Sequence, residues 1–324
     1  KLANGFIRNG HDVINLSDRD VGKFNKSFRD FKGKSYLNTM IYETAKNYKP
    51  DLILLGHSYD IENETLERIK DYSKNTIISQ WFEDHLADTG PDFSSNRKKL
   101  LKYDDFIKSN FITTHPSTLD FLKKKNNFHY LPIPVDKNIE KLKIYENKNQ
   151  ICDVFFSMSH GVNRGKLKRD KVDERHNFIT DLISECPNII FDIYGYKNRE
   201  PVWAEDFYKV IVNSKMALNL TRGKPLKYLT SNRIASLIGN GLLTFIDKKT
   251  KLNNFFNNNE VVFYSGLQDL ADKINYYKSN DLSRIKIAKN GRRKYFDLFE
   301  CQKIANYIIS KSFDREIPKV LKWM

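Results

Sequence analysis

Short apolar runs alternate with stretches of helical spacing from one end of this chain to the other. The opening stretch reads as a helix, and Asp12–Leu16 is a short apolar run that predicts a strand. A polar loop and a helix around Tyr36–Lys46 lead to Asp51–Gly56, an unbroken Leu/Ile run suited to a parallel strand buried on both faces. A helix near Glu64–Tyr72, a strand at Thr76–Trp81, a helix near Asn96–Lys102, a strand near Phe106–Thr113 and a helix from Ser117 follow. The alternation then pauses. Residues 138–150 are charged, rich in Asn and poor in apolar residues, and read as a linker.

Beyond the linker the pattern restarts, with strands at Asp153–Ser157, Ile189–Tyr194, Met216–Leu220, Leu242–Ile246 and Val261–Tyr264. Helices are predicted between them over Glu174–Ser184, Asp206–Val212 and Ser231–Ile238, with a short one at Leu252–Phe256. Another follows at Leu267–Tyr277, and the end is helical from Leu282 to about Ser312. Two such runs predict two doubly wound, Rossmann-like α/β domains facing each other across a cleft. Residues 1–137 are expected to form the first domain and residues 151–324 the second. The chain opens on a helix, so the first strand of the first domain is expected upstream of Lys1. The final helix is expected to pack back on the first domain.

In open parallel sheets, ligands bind beyond the carboxyl ends of the strands, so the loops there are the places to look for chemistry. Ser157–Lys166 follows the first strand of the second domain, and its Arg164 and Lys166 can neutralise a diphosphate. It is not a Walker A loop, and its plain alternative is a solvated basic turn. At the turn Tyr194-Gly195-Tyr196, a base can lie on backbone and stack on an aromatic ring. Thr221–Arg233 opens a helix that Ser231 or Asn232 can cap, with Arg222, Lys227 and Arg233 around its positive end. In the first domain, Glu83-Asp84-His85 stands directly after a buried strand. Asp84 is the first candidate for a general base, Glu83 the next, and His57 on the neighbouring strand's exit loop the third.

The segment Met216–Lys278 resembles the C-terminal domain of the group 1 glycosyltransferases, above all the CgeB-like branch. The residues that carry the resemblance are Leu218-Asn219-Leu220, Ser231-Asn232-Arg233, Gly239-Asn240-Gly241, Leu242–Ile246, Val262–Ser265 and Asp269–Tyr277, with Ala288–Arg292 beyond them. The resemblance implies the GT-B fold, a nucleotide-sugar donor, no cofactor and no metal. It also implies a glycan or lipid-linked acceptor, such as lipopolysaccharide or capsule. One position departs from the pattern. Many group 1 members carry a glutamate three residues after the arginine, where it binds the donor ribose, and this chain has Ser236 there.

The remaining composition narrows the setting. The chain has 324 residues, enough for two cores. No apolar run reaches the length of a spanning helix, which leaves peripheral contact with an anionic membrane. Cys152, Cys186 and Cys301 share no metal or disulfide spacing and fit a reducing cytoplasm, with the inner face of the membrane as the peripheral option. The net charge is +15, and Lys and Arg are spread along the whole chain, which argues against a dedicated nucleic-acid arm. Two rival readings stay open at this level. One is a non-catalytic glycosyltransferase-like binding protein, motivated by Ser236; the other is a glycosyltransferase that modifies nucleic acid, motivated by the charge.

Overall fold

The structure, a computed structural model, describes residues 1–90, 92–158, 174–317 and 321. Two parallel sheets form it. In the first, β1 (Leu52–Gly56), β2 (Ile77–Phe82), β3 (Asn110–Ile112) and β4 (Phe128–Tyr130) lie in the order β1-β2-β3-β4. Leu52 stands opposite Ile77, Gln80 opposite Asn110, and Asn110 opposite Phe128. Parallel neighbours need crossover connections, here α4 (Asn63–Tyr72) and α5 (Phe93–Leu100), with α3 (Lys34–Tyr48) leading into β1. The helix expected from Ser117 is instead a pair of single 3₁₀ turns at 116–118 and 120–122. Leu119 between them is extended, with φ −117° and ψ 100°, and both Leu119 and Leu122 enter the core.

The run Asp12–Leu16 is not a strand, because propensity without a neighbour makes no ladder. Val13 packs on the core, while Ile14 and Leu16 face outward.

The second sheet has the order β6-β5-β7-β8-β9. Its strands are β5 (Cys152–Ser157), β6 (Phe191–Tyr194), β7 (Ser214–Asn219), β8 (Leu243–Asp247) and β9 (Val262–Tyr264). The helices between them are α6 (Glu174–Glu185), α7 (Ala204–Ile211), α8 (Asn232–Gly239) and α9 (Leu267–Ser279). From β5 the chain moves outward on one side to β6, then returns to place β7 on the other. Loops leaving β5 and β7 therefore diverge, and a crevice opens between them at the carboxyl edge.

The helical end is interrupted. α10 (Asp281–Phe299) packs on α8, and α11 (Cys301–Ser312) lies on the first sheet's side against α1 (Leu2–Arg8). There the Ser312 and Ser79 hydroxyls are 2.8 Å apart. At Glu300 the backbone turns extended, with φ −58° and ψ 139°, to run beside Val135. Val135 N–H donates to Phe299 O at 2.9 Å, and Cys301 N–H donates to Val135 O at 2.8 Å. Both passages of the chain between the two sheets thus cross at one place.

The stretch 138–150 is anchored beside that crossing. Glu140 is fully buried, and Ile144 packs in a core cluster while its N–H donates to Asn240 O at 2.9 Å. Asp136, also fully buried, accepts from Asn138 N–H at 2.9 Å, Asn4 Nδ2 at 2.7 Å and Arg8 Nη2 at 2.8 Å. Burial alone would raise its carboxyl pKa, but these donors outweigh burial and hold it below the ordinary value. Removing one partner of such a pair strands the other. Asp136→Ala is therefore expected to lower unfolding free energy in urea by about 3 kcal/mol. A loss no larger than that of an exposed substitution would show that the carboxylate does not hold the crossing.

Candidate active site

The carboxyl edges of the two sheets face one another, and the loops beyond them meet. β2 ends at Phe82, which places Glu83 and Asp84 at the mouth. β1 ends at Gly56, followed by His57 with φ +51°, a left-handed turn that swings its ring back over the sheet. The ring stacks on Phe82 with centroids 4.9 Å apart and meets Trp81 edge-on at 5.4 Å. Glu83 N–H points at His57 Nε2 at 3.5 Å, so Nε2 accepts and the proton belongs on Nδ1. That nitrogen is hydrogen-bonded to the Tyr59 hydroxyl and stands 3.8 Å from Asp84 Oδ2. Burial lowers the His57 pKa more than Asp84 raises it, leaving a neutral ring at neutral pH. Both its nitrogens face protein, so His57 orients Glu83 and Asp84 in place of presenting a base itself. Glu83 is half-buried, and burial followed by the neighbouring Asp84 charge raises its carboxyl pKa. Asp84 is exposed.

On the facing side, α8 starts at Asn232 after Ser231, an extended residue in the N-cap position. Asn232 Nδ2 donates to Glu83 Oε2 at 2.7 Å, which closes the cleft with a direct contact between two predicted sites. Arg233 turns inward: its Nη1 donates to Leu220 O at 2.9 Å, and its guanidinium lies 4.9 Å from the Phe156 ring centroid. It therefore sits at the ends of β5 and β7, at the switch point. The Ser231 hydroxyl is buried and finds no partner among the described residues.

The loop 221–230 does more than the sequence indicates, because it straps the two halves together. Arg222 Nη2 is 3.2 Å from Asp92 Oδ2, and Lys224 O lies 3.3 Å from His85 Nε2. Lys227 O accepts from His115 N–H at 3.4 Å, and Tyr228 O from the Tyr130 hydroxyl at 3.2 Å. Arg222 and Lys227 are both half-buried.

At 194–196, Gly195 has φ +72°, and a Cβ there would come 2.4 Å from Met158 O, so only glycine fits. Tyr196 belongs to the second core, its hydroxyl 2.8 Å from Thr180 Oγ1, and presents no open face for a base. The Tyr194 ring is covered by Arg199, 3.7 Å from its centroid. Arg164 and Lys166 lie outside the described residues.

One candidate position escaped the sequence reading. Asn219 closes β7 with its side chain buried, and neither amide atom has a hydrogen-bond partner among the described residues. The available signal was a lone amide ending an apolar strand at the switch point. Among the described residues, no group of three His, Cys, Asp or Glu side chains is placed to hold a metal.

Residues 172–310 match the glycosyl transferase-like family. The chain is similar to glycosyltransferases and has their GT-B fold. HepE of Anabaena, solved with UDP-glucose, superposes with a TM-score of 0.59 at 13% identity, covering 90% of this chain and 84% of that one. A glycosyltransferase from Rickettsia africae gives 0.55 at 13% identity over 100% and 94% of the two chains. Sucrose-phosphate synthase of Thermosynechococcus elongatus gives 0.54 at 11% identity over 97% and 91%. No curated protein sequence matches the chain. The expected glycosyltransferase relationship and α/β fold therefore hold at the level of this wide family.

Burial lowers the pKa of His85 and His115 as well as that of His57. A histidine held neutral in the fold takes up its proton first in the unfolded chain. Its stabilising effect is complete above the ordinary value of about 6.5 and is lost as pH falls below it. The melting temperature should fall from pH 7 towards about pH 5, and less steeply in His85→Gln. An unchanged slope in that variant would remove His85 from the account.

Proposed function

We propose that this protein is a glycosyltransferase that moves a sugar from a uridine-diphosphate donor to a hydroxyl of a glycan or lipid-linked acceptor. The observation that carries the reading is the meeting of Glu83 and Asp84 with the start of α8 across the cleft, joined by the Glu83–Asn232 contact. The α8 N-terminus offers free N–H groups and the positive end of a helix dipole. Ser231, Asn232 and Arg233 hold the diphosphate there, with Arg222 and Lys227 around it. Asn219 supplies an amide to the donor from the end of β7. The turn 194–196 contributes its Gly195 backbone. Support for uridine comes from the UDP and UDP-glucose bound by HepE. With Ser236 in the place of the usual glutamate, the ribose is held by a different group than in many group 1 members.

Asp84 receives the acceptor hydroxyl proton as the bond from the anomeric carbon to the diphosphate breaks. Glu83 is committed to Asn232 and His57 to its neighbours, which leaves Asp84 as the carboxylate that faces an incoming hydroxyl. The diphosphate charge is met by side chains and helix dipole, so the reading calls for no metal. A cytoplasmic setting, with a lipopolysaccharide- or capsule-type glycan as acceptor, fits an enzyme fed by cytoplasmic nucleotide sugars. None of the described helices is long and apolar enough to cross a membrane.

UDP at about a hundredfold above its Kd should stabilise the protein by about 2.7 kcal/mol. Arg233→Ala should abolish that shift. If UDP, GDP, ADP, CMP and dTDP all leave the melting temperature unchanged, the donor site is wrong. Asp84→Asn should keep the UDP shift yet slow transfer by about 10²–10⁴-fold. Transfer at the parental rate would pass the role of base to Glu83.

A further inference from the structure

We propose that the hairpin formed by α2 (Asp18–Phe24) and the start of α3 is a docking surface for an anionic lipid bilayer. Three phenylalanines stand on it with their rings in solvent: Phe24 is 79% exposed, Phe28 93% and Phe31 74%. Phe28 and Phe31 face each other with centroids 6.0 Å apart, so they form a small patch. An exposed aromatic cluster of this kind is costly in water unless something covers it. The charge around it indicates what does. Lys23, Lys26, Arg29 and Lys32 interleave with the rings, are all exposed, and form no ion pair among the described residues. Phe rings bury at the boundary between headgroups and acyl chains, and Lys and Arg beside them are drawn to anionic headgroups.

The hairpin is built to hold this shape. Gly22 and Gly33 bring its two arms into contact; a Cβ on Gly33 would lie 2.0 Å from Gly22 O. Asp30 accepts from the N–H groups of Lys34 at 3.0 Å and Ser35 at 2.8 Å, which caps α3 from the loop that carries the phenylalanines. Burial therefore cannot rescue the rings by refolding the loop without breaking these contacts. Lys34 Nζ is 2.8 Å from Asp60 Oδ1, which ties the hairpin to the exit loop of β1 that carries His57. The patch thus lies on the acceptor side of the cleft. Docked there, the protein would draw its acceptor from the bilayer itself, a consequence that rests on the transferase reading while the docking does not.

The test is flotation of the purified chain with phosphatidylcholine vesicles, with and without about one third phosphatidylglycerol. Binding to the anionic vesicles, weakened by salt, is expected, with little binding to phosphatidylcholine alone. F24A/F28A/F31A and, separately, K26E/R29E/K32E should each weaken it at least about tenfold while keeping the melting temperature and the UDP shift of the parent. A Phe28→Trp variant should show a blue-shifted emission on anionic vesicles. No binding, or parental binding by both triple variants, overturns the proposal whether or not UDP binds. Binding of a single-stranded oligonucleotide through the same residues, with no vesicle binding, overturns it too and assigns the surface to nucleic acid. Loss of the UDP shift in the parent with vesicle binding intact leaves the docking surface standing and removes only its consequence for the acceptor.

Discussion

Everything at the cleft is set by the place where the chain passes twice between its two halves. Val135 and Glu300 lie side by side there, exchanging backbone hydrogen bonds through Phe299 and Cys301. Asp136 is fully buried next to them and takes donors from Asn4 and Arg8 of α1, while Lys1 reaches Glu140 at 2.6 Å. Buried, paired carboxylates of this kind are stiff, because any movement strands a buried charge. The contacts at the opposite, open end are of another kind. Arg222–Asp92 is partly exposed, and Asn232–Glu83 is a single exposed hydrogen bond. Such contacts are each worth about 1 kcal/mol or less. The firmer tie between the halves at this end is the strap 221–230, where Tyr228 and Leu229 are buried and Tyr228 O accepts from the buried Tyr130 hydroxyl at 3.2 Å.

The sequence showed the sheets because the strands are unbroken apolar runs and their exits carry the polar residues. By that rule alone Glu83, Asp84, His57 and Ser231–Arg233 could be named from opposite halves of the chain, and they do converge. What could not be read was anything fixed by a distant partner. The arginine and lysines of the strap mark a ligand loop in the sequence, yet the backbone carbonyls of Lys224, Lys227 and Tyr228 do much of its bridging. No residue type announces a carbonyl. The break at Glu300 was invisible for the same reason, since local spacing there is helical and only Val135 makes an extended residue favourable. Asp12–Leu16 is the converse case, a stretch with strand propensity and no neighbour to pair with. Tyr196 looked available because it follows a glycine turn, but α6 covers it.

Among the candidate site residues, the first sheet's loops offer carboxylates and a histidine kept neutral by burial, with Arg19 and Lys99 near it, and the second sheet's loops offer arginines, a lysine and a helix N-terminus. The overall charge of +15 therefore hides a polar division that suits a reaction between an anionic donor and a hydroxyl that must lose a proton. A cationic histidine at 57 would work against that division by neutralising Asp84, and its lowered pKa prevents this at neutral pH.

The unpaired groups fit the same division. A buried amide or hydroxyl without a partner costs about 1–3 kcal/mol, and folds rarely keep one without a return elsewhere. Asn219 at the end of β7 and Ser231 at the start of α8 both stand in that condition among the described residues, beside the inward-turned Arg233. Their presence at the switch point makes sense where the missing partner is a bound donor, whose phosphate and sugar oxygens complete the hydrogen bonds. The cost in the free protein is then part of what makes the site selective, because a ligand that cannot fill both groups leaves the penalty in place.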